Sequence, residues 1–144
     1  MTKVSTKIPS WFWAVSSVAL VWNLIGVLAY LGQLMMTDEV LAALPEAEQA
    51  LYKNIPLWAT IAFTLAVWGG LAGSILLVLK RKVATSVFIV SAIGIIIQLS
   101  YNLFMSEALE VFGKVGLIIP IMTLTIGLAL VYFSRFATQK GILK

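Results

Sequence analysis

The sequence contains neither cysteine nor histidine. Without cysteine the chain can form no disulfide, iron–sulfur cluster or thiolate metal site. Without histidine it lacks the commonest metal ligand and the commonest general base near neutral pH. Serine, threonine and tyrosine need a neighbouring base to act as nucleophiles, and every acidic residue lies outside the long apolar segments. We therefore expect no metal, no cofactor and no enzymatic activity.

Charged residues are also scarce: they make up 11% of the 144 residues, whereas hydrophobic residues make up 61%. A typical soluble domain has about 25% charged and about 45–50% apolar residues. The net charge of +4 would suit nucleic acid if the bases formed one face, but they gather at the ends of the apolar segments. We expect a lipid bilayer as the partner and no nucleic acid.

Four long apolar segments occupy residues 11–35, 56–79, 83–105 and 116–136. Each can cross a hydrocarbon core of about 30 Å as a helix that rises about 1.5 Å per residue. Each must be helical, because backbone groups in lipid find hydrogen-bond partners only within their own segment. The sequence therefore predicts an all-α membrane protein, in which residues 1–144 form a single domain with a four-helix transmembrane bundle.

The charged residues separate to opposite ends of this predicted bundle. Eight of the ten bases lie before the first span, between the second and third, or at or after the end of the fourth: Lys3, Lys7, Lys80, Arg81, Lys82, Arg135, Lys140 and Lys144. All six acids lie in the other two connections: Asp38, Glu39, Glu46, Glu48, Glu107 and Glu110. Cytoplasmic loops carry the excess of lysine and arginine, so we expect both termini in the cytoplasm and the acidic connections outside.

Two of these charged clusters have a simple and a functional interpretation. The run 80–82 can be a plain topology signal or a site for anionic lipid. The acids Asp38, Glu39, Glu107 and Glu110 can form a solvated surface or converge around Ca²⁺ or Mg²⁺. No loop has the spacing of an EF-hand, which favours the solvated surface.

The first outer connection, residues 37–55, is longer than a turn requires. Thr37 is well placed to cap a short helix that starts at Asp38. Pro45 suits the first turn of a second short helix, in which Leu51 and Ile55 share an apolar face. We expect short amphipathic helices along the outer surface of the bundle.

Polar side chains recur at helical spacing in the first and third spans. On one face of the first span they are Asn23, Tyr30 and Gln33, and on one face of the third they are Gln98, Tyr101 and Asn102. Amides that face lipid are costly, so both faces should point into the bundle. These six residues predict a ligand-binding pocket that opens outward and is closed by apolar packing toward the cytoplasm. The alternative is that they only form hydrogen bonds between helices.

The second span carries small residues at helical spacing: Ala62, Ala66, Gly70 and Gly73. Small residues allow the backbones of neighbouring membrane helices to approach closely. We interpret this face as a packing surface.

Several segments resemble a known group of proteins. They are WNLIG at 22–26, AYLGQ at 29–33, MTDE at 36–39, LAALPEAEQALY at 41–52, YN at 101–102 and PIM at 120–122. The chain resembles small bacterial four-span membrane proteins of unestablished function, some of which are labelled sugar transporters. The resemblance implies a bacterial inner (plasma) membrane location and does not indicate a substrate.

Two functions remain open. The first is binding, or binding and transport, of a small polar or amphiphilic solute by amide and tyrosine groups that donate and accept hydrogen bonds. No span carries a charged residue away from its ends, which disfavours proton-coupled transport, and four spans leave little room for alternating access without a homo-oligomer. The second is a structural or accessory subunit of a membrane complex with no ligand of its own.

Overall fold

A computed structural model describes residues 7–144. The elements are α1 (Ser10–Leu34), α2 (Asp38–Ala42), α3 (Glu46–Lys53), α4 (Leu57–Val78), α5 (Ala84–Phe104), α6 (Ala108–Phe112), a 3₁₀ turn (Lys114–Leu117) and α7 (Ile118–Gln139). Within this range every regular element is helical, which confirms the predicted all-α class.

Four of these helices, α1, α4, α5 and α7 with its 3₁₀ turn, are long and apolar enough to cross a membrane. The chain thus has the four-helix transmembrane architecture that the sequence predicts for a multi-pass membrane protein. Helices α1, α4 and α5 begin and end within one residue of the predicted spans. Helix α7 continues to Gln139, beyond the predicted end at residue 136, because Ala137 is still fully buried against the bundle.

The long helices pack in a row that curls back on itself. Helix α1 packs along α4, α4 along α5, and α5 along α7. Helices α1 and α7 meet where the rings of Trp11 and Phe133 lie 5.8 Å apart, edge to face, and Phe12 stacks on Phe133 at 5.9 Å. The α4–α5 turn and the C-terminal tail lie at this same end, which we call the basic end. We call the opposite end, with α2, α3 and α6, the acidic end. That the basic end faces the cytoplasm stays a prediction from charge.

The apolar core occupies the half of the bundle near the basic end. Its largest members are Phe12, Leu77, Phe88, Leu130 and Leu143, all at most 6% exposed. Because lipid tails are as apolar as this core, the cluster stabilises the bundle by close packing rather than by removal from water.

The tightest helix contact is between α4 and α5, and small residues make it possible. The small-residue face of α4 is buried, as the sequence predicts, and Gly94 of α5 lies against it. A methyl group added to Gly94 would come within 2.7 Å of the carbonyl oxygen of Ala62. Nearby, the Ser91 hydroxyl donates a 2.6 Å hydrogen bond to the carbonyl oxygen of Ala66. The two backbones are therefore in direct contact.

The acidic end is covered by short helices. Thr37 caps α2 by accepting a hydrogen bond from the Val40 amide at 3.3 Å, as predicted. Pro45 precedes α3 as its N-cap residue. The Gln49 side chain donates to the Leu44 carbonyl at 2.8 Å and to the Ala42 carbonyl at 3.3 Å, which ties α3 back to the end of α2. Helix α6, which the sequence analysis left within a connection, packs against α3. Among residues 7–144, no group of three or more acids is placed to hold a metal ion.

At the basic end, α4 and α7 terminate in the same Schellman motif, which needs one residue in the left-handed conformation. After α7 that residue is Gly141, at φ +75°. After α4 it is Lys80, at φ 58°. The Lys80 amide donates to the Leu77 carbonyl and the Arg81 amide to the Leu76 carbonyl, both at 2.9 Å. A lysine therefore stands where glycine is the usual residue.

Lys80→Gly is expected to raise the free energy of unfolding by about 0.5–1 kcal/mol, because glycine adopts positive φ without the steric cost that Cβ imposes. Lys82→Gly is the matched control, since Lys82 lies in the same turn and has no positive φ to relieve. Unfolding of both variants in mixed detergent micelles measures the difference. A Lys80→Gly protein no more stable than Lys82→Gly would contradict the prediction.

Candidate functional site

A cavity of about 470 Å³ lies among the four long helices, and each of them contributes to its wall. Small-molecule sites typically have volumes of about 300–1,000 Å³. The polar side chains in the wall are Asn23, Gln33, Ser91, Gln98, Asn102 and Thr123. The other lining residues are aliphatic, aromatic, glycine or proline. We call this space the interhelical cavity.

The interhelical cavity occupies the half of the bundle near the acidic end. Gln33, Asn102 and Ile119 line it close to the acidic ends of their helices. Phe88 and Leu130, which belong to the apolar core, form its floor toward the basic end. Four of the six predicted residues, Asn23, Gln33, Gln98 and Asn102, line this cavity. That it binds a ligand and opens to the outside stays a prediction.

Glycines of α1 and α7 shape the wall of the cavity. A methyl group added to Gly26 of α1 would meet no atom within 4 Å, so this glycine borders open space. A methyl group on Gly127 of α7 would touch the Ile95 side chain at 2.9 Å, and Ile95 also lines the cavity. Gly26 therefore contributes no side chain to fill the cavity, and Gly127 lets the Ile95 side chain pack closely against α7.

Asn23 has a structural role in addition to its place in the cavity wall. Its Nδ2 donates to the Ala19 carbonyl at 2.8 Å and to the Ser74 hydroxyl at 2.9 Å. The Ser74 hydroxyl in turn donates to the Gly70 carbonyl at 2.8 Å. A methyl group on Gly70 would overlap Asn23 Oδ1. Asn23 thus ties α1 to α4 through hydrogen bonds, which is the alternative interpretation given to these amides.

Gln98 differs from Asn23. Its Oε1 atom is buried and has no hydrogen-bond partner within the described part of the chain. A buried acceptor left unpaired costs about 1–3 kcal/mol. Gln98 lines the cavity, so a molecule in that space could donate to it. Among the described residues of the wall, Gln98 is therefore the one with a buried polar atom that has no hydrogen-bond partner.

The two tyrosines of the predicted site do not line the cavity. The Tyr30 hydroxyl lies 2.9 Å from the Thr64 hydroxyl, and its ring packs edge to face on Trp68. The Tyr101 hydroxyl donates to the Asn54 carbonyl at 3.4 Å, and its ring packs on Trp58. Both side chains are 8% exposed. They hold helices and the first outer connection together.

Two polar residues of the wall were not among the predicted site residues. Ser91 lies seven residues before Gln98 and eleven before Asn102, so the helical period already places the three on one face of α5. Thr123 lines the cavity from α7. Helical spacing could have identified both, because Thr123 lies four residues before Gly127, on the same face of α7.

None of the described residues that line the cavity carries a charge. The wall therefore offers hydrogen bonds and apolar contact, and it contains no carboxylate or amine to move a proton. This chemistry suits an uncharged molecule with an apolar body and a few polar groups. No family model, curated protein or solved structure matches this chain, so its function has to be inferred from this geometry.

Proposed function

We propose that this protein binds a small uncharged amphiphile in the interhelical cavity. The apolar part of the ligand lies along the aromatic and aliphatic wall, next to Trp22 and Phe63. A hydroxyl or N–H group of the ligand donates to Gln98 Oε1, and Gln33 and Asn102 contact polar groups nearer the acidic end. The volume and the uncharged, mostly apolar lining support this ligand class.

The unpaired Gln98 Oε1 carries the proposal. A packing role alone would favour an apolar residue here, because an unpaired buried acceptor destabilises the fold. A bound donor removes that cost. The same hydrogen bond then contributes to binding and satisfies the buried oxygen. The site therefore favours ligands that carry a hydrogen-bond donor over ligands that lack one.

Binding is proposed in preference to transport or catalysis. Phe88 and Leu130 close the cavity toward the basic end, so passage of a solute would require the apolar core to open. The uncharged wall supports neither proton coupling nor acid–base chemistry. The charge distribution and the resemblance to bacterial four-span proteins support a bacterial inner membrane with the basic end in the cytoplasm.

An alkyl glucoside has the required chemistry, and a photoreactive form tests the proposal. Protein in phosphatidylcholine nanodiscs is irradiated with octyl glucoside that carries a diazirine in its chain, and labelled residues are mapped by mass spectrometry. We expect saturable labelling of cavity residues such as Trp22, Phe63 and Ile95, and competition by unmodified octyl glucoside. Labelling confined to lipid-facing residues such as Val18 and Leu28, without saturation, would refute the site and favour an accessory subunit.

Gln98→Met is expected to weaken saturable labelling about tenfold, because loss of one hydrogen bond to a buried acceptor is worth about 1.4 kcal/mol. The same variant should be at least as stable as the wild type, since it removes an unpaired buried oxygen. Half-saturation concentration and melting temperature are the two measurements.

Gln139→Met is the control, because Gln139 is exposed at the end of α7 and lies outside the cavity wall. Its labelling should equal that of the wild type. Unchanged half-saturation in Gln98→Met, or an equal loss in Gln139→Met, would show that Gln98 does not contact the ligand.

A further inference from the structure

A second cavity, also of about 470 Å³, lies at the basic end. Five cationic residues line it: Lys7, Lys80, Arg81, Lys140 and Lys144. They come from the start of the chain, the α4–α5 turn and the segment that follows α7. We call this space the basic cavity.

Backbone contacts bring these distant segments together. The Lys144 amide donates to the Lys80 carbonyl at 2.9 Å, and the Lys82 amide donates to the Lys144 carbonyl at 3.1 Å. Leu143 is 3% exposed and belongs to the apolar core, which anchors the tail beside the α4–α5 turn. The cations are therefore gathered by the fold and do not merely follow one another in sequence.

No acidic side chain among the described residues lines the basic cavity. All six acids of the chain lie in segments 38–48 and 107–110, at the other end of the bundle, and residues 1–6 contain none. Like charges around one space repel unless an anion lies among them. The C-terminal ends of α4 and α7 contribute about −0.5 charge each, and a main-chain carboxylate at Lys144 contributes one full negative charge, so together they offset only about two of the five cations.

A topology signal alone does not explain this arrangement. The excess of lysine and arginine at one end orients a membrane protein through the number of these residues. It does not require that they line one cavity. Lys82 illustrates the difference, because it belongs to the same turn and does not line the cavity. Lys80 does line it, and it keeps its side chain at a position where glycine is favoured.

Aromatic residues indicate the depth of the basic cavity. Trp11 lines it and is 41% exposed at the start of α1, near a span terminus, where tryptophan typically marks the interface between lipid and water. The Lys140 ammonium lies 5.4 Å from the centre of the Phe136 ring, which holds this cation beside the cavity. The cavity therefore lies at the level of phospholipid headgroups.

We propose that the basic cavity binds a phosphate-bearing anion, either the headgroup of an acidic phospholipid or free phosphate. Arg81 supplies a planar donor pair for two phosphate oxygens, and Lys80, Lys140 and Lys144 supply point charges. The apolar side chains of Ile8, Leu79 and Ile142 in the wall suit the glycerol and upper acyl region of a lipid. This site is separate from the interhelical cavity and does not depend on the function proposed for it.

Native mass spectrometry of the detergent-solubilised full chain, titrated with phosphatidylglycerol or phosphatidylcholine, tests this proposal. We expect phosphatidylglycerol to bind at least tenfold more tightly. Arg81→Gln and Lys140→Gln should each weaken it about fivefold, since one cation near a lipid surface is worth about 1 kcal/mol. The control Lys82→Gln removes the same charge from outside the cavity and should change affinity less than twofold. All three residues are exposed, so the variants should fold.

Inorganic phosphate distinguishes the two sources of the anion. Competition by millimolar phosphate, weakened by Arg81→Gln but not by Lys82→Gln, would assign free phosphate to the site. No competition, with tight phosphatidylglycerol binding, would assign the lipid. Equal binding of the two lipids, or an equal loss in Lys82→Gln and Arg81→Gln, would overturn the proposal, because attraction would then follow net charge alone.

Discussion

Gly94→Ala is expected to lower the free energy of unfolding by about 2 kcal/mol, although alanine is the better helix former by about 1 kcal/mol. The new methyl group would lie 2.7 Å from the Ala62 carbonyl oxygen and 2.9 Å from the Ala66 amide nitrogen. Both neighbours are backbone atoms, so no side chain can rotate away. Helices α4 and α5 would have to separate, which would also lengthen the Ser91–Ala66 hydrogen bond.

Gly32→Ala is the matched control, since a methyl group on Gly32 meets no atom within 4 Å. This substitution should raise the free energy of unfolding by as much as about 1 kcal/mol through helix propensity alone. Reversible unfolding of the three proteins in mixed micelles, followed by tryptophan fluorescence, measures both changes. Equal effects of the two substitutions would mean that α4 and α5 do not contact each other through their backbones at Gly94.

Gly26→Leu is expected to abolish saturable labelling by the photoreactive glucoside and to leave the protein folded. Gly26 borders open space within the interhelical cavity, so the leucine side chain would enter the ligand volume without a backbone clash. The leucine side chain would then occupy volume that the ligand needs. Stability should be unchanged or higher, because leucine is a better helix former than glycine and fills empty volume.

Gly32→Leu controls for hydrophobicity and helix propensity in the same helix. Gly32 also borders open space, but it lies outside the cavity wall. It should keep wild-type labelling. If Gly26→Leu retains full saturable labelling at the cavity residues, or if Gly32→Leu loses it to the same extent, the ligand does not occupy the interhelical cavity.

Substitution of Gln98 or Lys80 is expected to raise the free energy of unfolding and to weaken binding in the cavity that each residue lines. At Gln98 a polar group is buried without a protein partner, and at Lys80 a side chain is kept at a position that favours glycine. Each feature costs stability locally, and each residue lines a cavity. Local strain or an unmet hydrogen bond at a cavity wall is common at functional sites, because selection keeps such residues for binding. Asn23, by contrast, has two hydrogen bonds within the protein, and its loss should reduce stability.

The positions of the spans could be predicted because the membrane imposes them. A helix of apolar residues long enough to cross lipid is visible in the sequence without knowledge of its neighbours. Three long helices end within one residue of prediction for this reason. The end of α7 was missed because Ala137 is held by tertiary packing, which hydropathy does not report.

The polar faces of α1 and α5 could also be predicted from helical spacing. What each residue on these faces contacts could not. Gln33, Gln98 and Asn102 line the interhelical cavity, whereas Tyr30 and Tyr101 hydrogen-bond to α4 and to the first outer connection. A tyrosine hydroxyl lies several bonds from its backbone and can reach a neighbouring element. Which neighbour it reaches depends on helix rotation and spacing, and spacing in sequence gives neither.

By itself, then, the amino-acid sequence determined the number of membrane helices, the bounds of three of them and the separation of charge between the two ends. These properties depend on each residue and the solvent around it. Only the tertiary structure decided that glycine leaves a cavity at Gly26 and a tight contact at Gly94, and that a folded tail turns scattered lysines into one basic cavity. These properties depend on distances between backbones that are remote in the chain, and residues of the same type acquire opposite roles from them.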